Sequence, residues 1–280
     1  MTKRACVIGY PVAHSRSPLI HNYWLKQHGI DGEYVRHEVK PDEIDAFLRN
    51  FSSSGFAGCN VTIPHKEAAA RHATESTPVV RALGVANTLW LDNGMLHADN
   101  TDVRGFLAHL EGSLPGWAKQ TAHAVILGAG GAARAVAYGL KESGVEKLTI
   151  VNRSRERAEQ LVREIKIEAN IANSNDVEAS LFSADLLVNT TSLGMKGQPP
   201  LEINLSSMKK TAAVYDLVYA PLETALLSQA RERGLKAIDG LGMLLHQAVP
   251  GFEKWFGVLP QVTKELRALI VADLEKDAPR

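Results

Sequence analysis

Short apolar runs alternate with helical patterns along almost the whole of this chain, and that alternation constrains its fold more than any other feature. Strands and helices in strict turn build α/β units on mostly parallel sheets. Ala5 to Gly9 read as a first strand. Ser17 and Pro18 predict an N-cap and a proline at the first helical position, and Gly29 supplies the stop. A strand near 33–39, a helix near 42–51 and a strand near 57–63 follow. Residues 86–99 read as a β-hairpin turning at Asp92, Asn93 and Gly94. The stretch from Gly112 to Gly116 breaks the pattern, and a second series opens at Ala124 to Leu127. Strands near 148–151, 185–189 and 213–218 continue it, and beyond Asp239 and Gly240 the chain reads as helical to its end. We expect two α/β lobes with ligands between them, at the carboxyl ends of the strands.

Composition narrows the chemistry. The 280 residues accommodate two domains. Lys plus Arg equals Asp plus Glu at 31 each, so no net field favours nucleic acid or an acidic membrane, and a small-molecule role is expected. The apolar run behind Lys3 and Arg4 is too short for a signal peptide, and no stretch approaches the ~20 apolar residues that span a bilayer. Cys6 and Cys59 lie in apolar strand-like runs without CxxC spacing, as core cysteines of a reducing compartment do. The ten histidines show no HExxH or comparable spacing, so no metal is expected. The expected address is cytoplasmic.

Gly128-Ala129-Gly130-Gly131-Ala132-Ala133 has the GxGxxA form of a dinucleotide turn. Gly128 permits the tight turn, Gly130 lets backbone approach a pyrophosphate, and Ala133 lets the helix pack closely on the sheet. Freed amides at the helix start then face phosphates. Glycine turns also serve simple packing, but here a strand precedes the turn, a helix over 133–140 follows, and Gly144 and a strand at Leu148 come next. The end of that strand selects the cofactor. An NAD enzyme places an acidic residue there for the ribose hydroxyl; this chain has Asn152-Arg153-Ser154-Arg155-Glu156-Arg157. With Ser154 as N-cap, Arg155 and Arg157 oppose the helix dipole by a few tenths of a kcal/mol each. A phosphate gripped by Arg153 and Arg157, with Arg155 turned away, accounts for that mismatch; a solvated basic helix start is the alternative. NADP is expected.

Further motifs carry a resemblance. Gly9 to Pro18 (with Tyr10, Pro11, Val12, Ala13, His14, Ser15, Arg16 and Ser17 between) followed by His21-Asn22, then Asn60-Val61-Thr62-Ile63-Pro64-His65-Lys66, Gly84 to Thr88 and Asn100-Thr101-Asp102 stand in the first half. Val188-Asn189-Thr190-Thr191, Tyr215 to Tyr219 and Asp239 to Gln247 stand in the second. In this order and spacing they resemble the shikimate dehydrogenase family from about residue 9 to 247. The resemblance implies an N-terminal α/β substrate-binding domain over 1–104, a Rossmann-type NADP-binding domain over 105–240, and C-terminal helices, 241–280, packing back onto the first. It implies reversible NADPH-dependent reduction of 3-dehydroshikimate to shikimate, a step of aromatic amino-acid and chorismate biosynthesis.

Residue by residue, the resemblance gives Ser15 and Ser17 the substrate carboxylate. Two hydroxyls at a helix start make a sensible anion clamp, although capping alone would also use them. Asn60, Thr62, Asn87 and Gln247 face a ring bearing hydroxyls, and Tyr219 presents its phenol from the cofactor lobe. Gly128, Ala129, Gly130, Gly131, Ala132, Asn152, Arg153, Ser154, Arg157, Thr190, Leu217 and Gly240 hold the cofactor. Lys66 and Asp102 carry the reaction: ketone reduction needs a proton on oxygen, and without a metal a side chain must supply it. From residues alone, Lys66 also fits an exposed helix start and Asp102 an N-cap.

Three positions depart from the family pattern. Pro78 stands where some relatives are acidic, Leu217 replaces a methionine common beside the nicotinamide, and His246 precedes Gln247 where small residues are common. An NAD-using quinate/shikimate dehydrogenase would carry an acidic residue in place of Arg153 and a threonine in place of Ser17. A catalytically silent NADP-binding regulator would show erosion at Lys66 or Asp102, which are intact. Lobe closure is expected; the oligomeric state, including a homodimer, stays open.

Overall fold

The computed structural model describes residues 2–173 and 176–276. The chain forms two compact units, Met1–Asp102 with Leu245–Glu275, and Val103–Leu244 with Lys276–Arg280. The first runs β1 (Lys3–Gly9), α1 (Ser17–Gln27), β2 (Gly32–Glu38), α2 (Ile44–Arg49), β3 (Gly58–Val61), α3 (Lys66–His72), β4 (Glu75–Ser76), α4 (Pro78–Leu83), β5 (Thr88–Asp92) and β6 (Met95–Asp99). Helix α5 (Thr101–Ser113) carries the chain across the division into α6 (Trp117–Gln120), β7 (His123–Leu127), α7 (Gly131–Glu142), β8 (Lys147–Val151), α8 (Arg155–Ile165), β9 (Asn170–Ala172) and α9 (Val177–Leu181). Strands β10 (Leu186–Asn189) and β11 (Ala213–Asp216), α10 (Ala225–Glu232) and β12 (Lys236–Ile238) complete the second unit. Helices α11 (Leu241–Phe256) and α12 (Lys264–Lys276) end the described chain.

The first sheet has the order β2-β1-β3-β5-β6-β4. Strands β1, β2 and β3 are parallel, whereas β3–β5 and β5–β6 pair antiparallel. The expected hairpin is β5–β6, turned on Asn93 (φ 49°) and Gly94 (φ 78°), the two left-handed residues that match strand twist. Cys6 sits opposite Cys59 in the β1–β3 register, and both are fully buried. Helix α11 seats Trp255 over β3. A side chain on Gly58 would overlap the indole, which donates to the Leu89 carbonyl at 2.8 Å.

The second sheet is wholly parallel, in the order β12-β11-β10-β7-β8-β9. Counted from β7, this is the order 3-2-1-4-5-6 with its reversal between β7 and β10, where the loops after neighbouring strands part and leave a crevice. Ala133 is fully buried, as close packing of α7 requires.

Two local features differ from expectation or escape it. Arg16, not Ser17, holds the N-cap position of α1, and the Ser15 hydroxyl accepts the Ser17 amide at 3.3 Å. Pro18 fits either assignment, because the first four helical amides lack intrahelical acceptors. Strand β4 and helix α4, capped by the Thr77 hydroxyl, are additional elements too short to show a period. The division between units falls inside α5, while Gly116 (φ 74°) follows that helix's end. Among the described residues, no helix is long and apolar enough to cross a membrane.

Candidate active site

Lys66 opens α3 just past the end of β3, and Asp102 lies in the first turn of α5. The Lys66 ammonium donates to Asp102 Oδ2 at 2.6 Å, with the side chains 25% and 14% exposed. Asn100 provides the cap, its Oδ1 accepting the Asp102 amide at 3.1 Å, so the Asp102 carboxylate is not consumed as an N-cap. Its second oxygen accepts the Asn87 side-chain amide at 2.8 Å. Asn87 is itself oriented by the Thr101 backbone N–H, which donates to its Oδ1 at 2.7 Å. An ammonium, a carboxylate and a neutral amide are thus locked together, the first two partly exposed, in an arrangement able to move a proton.

Asn60 lies within β3, buried, its Oδ1 accepting the Tyr34 hydroxyl at 2.6 Å. Half-buried Thr62 places its methyl 2.4 Å from where a Gly9 side chain would begin, which explains glycine there. Ser15 and Ser17 stand at the start of α1. The Arg36 guanidinium donates twice to the Ser15 carbonyl, at 3.1 and 2.7 Å, and Arg16 pairs with Asp273 at 2.8 Å. Neither arginine was singled out from sequence. Arg36 lies 21 residues from Ser15, and only the fold joins them. Gln247 is buried on α11 in the same unit.

The glycine turn follows β7. Gly128 has φ +105°, and a side chain there would meet Thr190 Oγ1 at 2.8 Å. A Cβ at Gly130 or Gly131 would meet nothing within 4 Å, so the backbone at the start of α7 is open to close approach, with half-buried Ala129 and Ala132 beside it. The Thr190 hydroxyl is tied back to the Leu127 carbonyl at 2.6 Å. Asn152 donates to the Ser154 carbonyl at 2.8 Å, and Ser154 caps α8 by accepting the Arg157 amide. Arg155 pairs with Glu159 at 2.9 Å. Exposed Arg153 and Arg157 have no carboxylate partner among the described residues. Open backbone after β7, and donors and two cations without a carboxylate partner after the neighbouring β8, fit a phosphorylated dinucleotide.

Asp216 at the end of β11 has a larger structural part than sequence indicated. It is fully buried and accepts bonds from Asn189 (2.8 Å), Thr224 (2.7 Å) and the Val218 amide (3.1 Å). Burial pushes its carboxyl above the usual range despite those bonds. It fixes the path of Leu217 and half-buried Tyr219, and the Leu217 carbonyl lies 2.1 Å from where a Gly240 side chain would begin. Of the departures, Pro78 is the first residue of α4, and half-buried His246 is held below its usual pKa by burial.

A parallel sheet of this order with a glycine turn at its reversal is a Rossmann-type dinucleotide fold, here in one chain with an α/β unit bearing a lysine–aspartate pair. Residues 7–89 match the family described as shikimate dehydrogenase substrate binding domain, 114–199 that of shikimate / quinate 5-dehydrogenase, and 240–269 the shikimate 5'-dehydrogenase C-terminal domain. The chain is 57% identical over 272 residues to the shikimate dehydrogenase (NADP(+)) of Azorhizobium caulinodans, covering 97% of each. It is similar to the Thermus thermophilus shikimate 5-dehydrogenase solved with NADP(H) and shikimate (TM-score 0.84, 33% identity, 99% of this chain and 100% of that one). It is likewise similar to the Corynebacterium glutamicum quinate dehydrogenase solved with NAD (TM-score 0.89, 32% identity, 97% and 99%). The chain belongs to the shikimate dehydrogenase family. These two neighbours were solved with NAD and with NADP(H), so backbone likeness alone does not separate the cofactors.

Proposed function

We infer that this chain catalyses the reversible NADPH-dependent reduction of 3-dehydroshikimate to shikimate, an oxidoreductase step of aromatic amino-acid biosynthesis. The observation that carries the reading is the 2.6 Å Lys66–Asp102 pair with both Asp102 oxygens engaged. The first unit binds the substrate, its carboxylate on Ser15 and Ser17 and its hydroxyls on Asn60, Thr62, Asn87, Asp102 and Gln247. The second binds the dinucleotide on the Gly128–Ala132 turn, with Asn152, Arg153, Ser154 and Arg157 around the 2′-phosphate and Thr190, Leu217 and Gly240 nearby. Tyr219 contributes its phenol to the substrate. The domain limits are those near residues 104 and 241.

When bound, NADPH supplies the two-electron reduction of the C3 carbonyl carbon. The Lys66 ammonium donates a proton to the C3 oxygen as negative charge develops there, and in oxidation the neutral amine takes that proton back. Asp102 holds the ammonium in place and accepts from a substrate hydroxyl. We assign the reaction to the cytoplasm, a reading supported by two buried free thiols.

Spectrophotometric assay of NADPH formation from shikimate tests the function directly, with quinate and NAD as parallel arms. Turnover with shikimate and NADP+, and poor turnover with quinate, is expected. Quinate turnover rivalling shikimate would overturn the substrate, and equal rates with NAD would overturn the cofactor.

A further inference from the structure

A series of hydrogen bonds in the first unit runs in one direction and ends on Asp102. The Tyr34 hydroxyl donates to Asn60 Oδ1 at 2.6 Å. The Asn60 amide donates to Thr88 Oγ1 at 3.3 Å, and the Thr88 hydroxyl to Asn87 Oδ1 at 3.1 Å. The Asn87 amide donates to Asp102 Oδ1 at 2.8 Å, while Lys66 occupies Oδ2. Thr101 reinforces this sense, its backbone N–H and hydroxyl both donating to Asn87 Oδ1.

The direction is fixed at both ends: the Thr101 backbone N–H, which can only donate, turns Asn87, and the phenol meets Asn60 at the far end. In the β2–β1–β3 register Tyr34 stands opposite Ala5, and Ala5 opposite Gly58; Asn60 lies two residues further on the same face. The phenol therefore reaches across β1 to an amide that has two possible orientations. With its single proton on Asn60 Oδ1, the Asn60 NH2 faces Thr88 and the Thr88 hydroxyl donates to Asn87. Burial raises the Tyr34 pKa well above its ordinary value and keeps that proton in place. Tyr34, Asn60, Thr88 and Asn87 are each 5% exposed or less. In such a medium aligned hydrogen bonds polarise one another, each strengthened by about 10–30%.

We propose that Tyr34 and Thr88 are positioning residues, which extend and polarise a buried relay that supports Asn87 and Asp102 in place for Lys66. The proposal rests on the functional reading above, which makes Lys66 and Asp102 the reacting pair. Neither Tyr34 nor Thr88 is assigned to touch the substrate.

The test has two independent readouts. In nitrogen-15 spectra of the substrate-free protein, Tyr34→Phe should shift the side-chain amide signals of Asn87 as well as those of Asn60, although Asn87 does not touch Tyr34. In kinetics, Tyr34→Phe and Thr88→Val should each lower kcat about 3- to 10-fold, the loss expected for one hydrogen bond. The double variant should be little worse than the poorer single, and Thr88→Ser, which keeps the hydroxyl, should stay near wild type. Unmoved Asn87 signals, multiplicative losses, or a Thr88→Ser as impaired as Thr88→Val would each overturn the relay. If Thr88→Val does not fold, the Tyr34→Phe spectrum and the Thr88→Ser kinetics decide it. The spectrum needs no turnover, so a wild-type chain inactive on shikimate would overturn the functional reading alone, and the Asn87 signals would still judge the relay.

Discussion

Lys66 and Asp102 meet at 2.6 Å across 36 positions of sequence, and Asp102 carries Asn87 on its other oxygen. A pair bound this closely acts as one unit. Lys66→Ala should lower kcat by about 10²–10⁴-fold, the range of general acid–base catalysis, with KM for shikimate moving much less. Asp102→Asn keeps the shape, removes the charge and should also damage kcat. The double variant should be little worse than the poorer single. Steady-state kinetics of the three proteins, with thermal stability alongside, check this, and a Lys66→Ala enzyme with near-normal kcat would remove Lys66 from the chemistry.

Among the described residues Arg153 and Arg157 have no carboxylate partner, whereas Arg155 is paired with Glu159. Replacing both Arg153 and Arg157 with Ala should raise KM for NADPH at least about tenfold, since each charge-assisted bond is worth about 1.5–3 kcal/mol. The slower NADH reaction should barely change, and Arg155→Ala should leave both cofactors unaffected. Equal losses with NADPH and NADH would sink the 2′-phosphate assignment.

The two serines of the proposed carboxylate clamp should separate by stability. Ser17→Ala should raise KM for shikimate about tenfold or more, as loss of a bond to a charged group does, with NADPH binding unaltered. Ser15→Ala should do the same and also lose about 1 kcal/mol of stability, because its hydroxyl receives the Ser17 amide at the start of α1. Paired melting curves and shikimate titrations distinguish them. Unchanged shikimate kinetics in both variants would place the carboxylate elsewhere.

His21 gives the first unit an acid sensitivity. It is fully buried, stacked on Tyr34 at 4.1 Å, and burial, only partly offset by the Asn60 side chain, lowers its pKa from 6.5 to about 3. The unfolded chain therefore binds a proton that the native chain refuses. The stability concerned is full above pH 6.5 and is lost as pH falls toward 3, at up to about 1.4 kcal/mol per pH unit. His21→Phe keeps a ring in the stack and should lose stability less steeply over that window. Parallel slopes of Tm against pH in the two proteins would contradict a neutral buried imidazole.

The alternation of short apolar runs with helices reads directly because it is local, and so does the glycine turn, whose strand and helix lie within a few residues. The cap of α1 read one position late, since Pro18 is tolerated at either of its first two positions and the Ser15 hydroxyl reaches the amide two residues on. The glycines and proline of 112–116 read as the break between the two series, but the division between units lies inside α5, and a continuous helix leaves no mark in composition. Least legible were Arg36 on Ser15 and Tyr34 on Asn60, bonds between residues 21 and 26 apart whose pairing depends on strand order. The sequence motifs name Asn60 and Asn87 but carry no sign of how their amides are turned.

Cys6 and Cys59, enclosed opposite each other in the first sheet, have a practical consequence. Burial and the neighbouring Cys6 push the Cys59 thiol up, and a shielded, protonated thiol does not attack alkylating reagents. The folded chain should thus be silent to maleimide dyes, and a cysteine introduced at an exposed position should take a fluorophore at that position alone. Where alkylation outpaces reclosing, the slow uptake of two labels per chain becomes a stopwatch for the opening of the sheet that carries Asn60, read by mass and without any substrate.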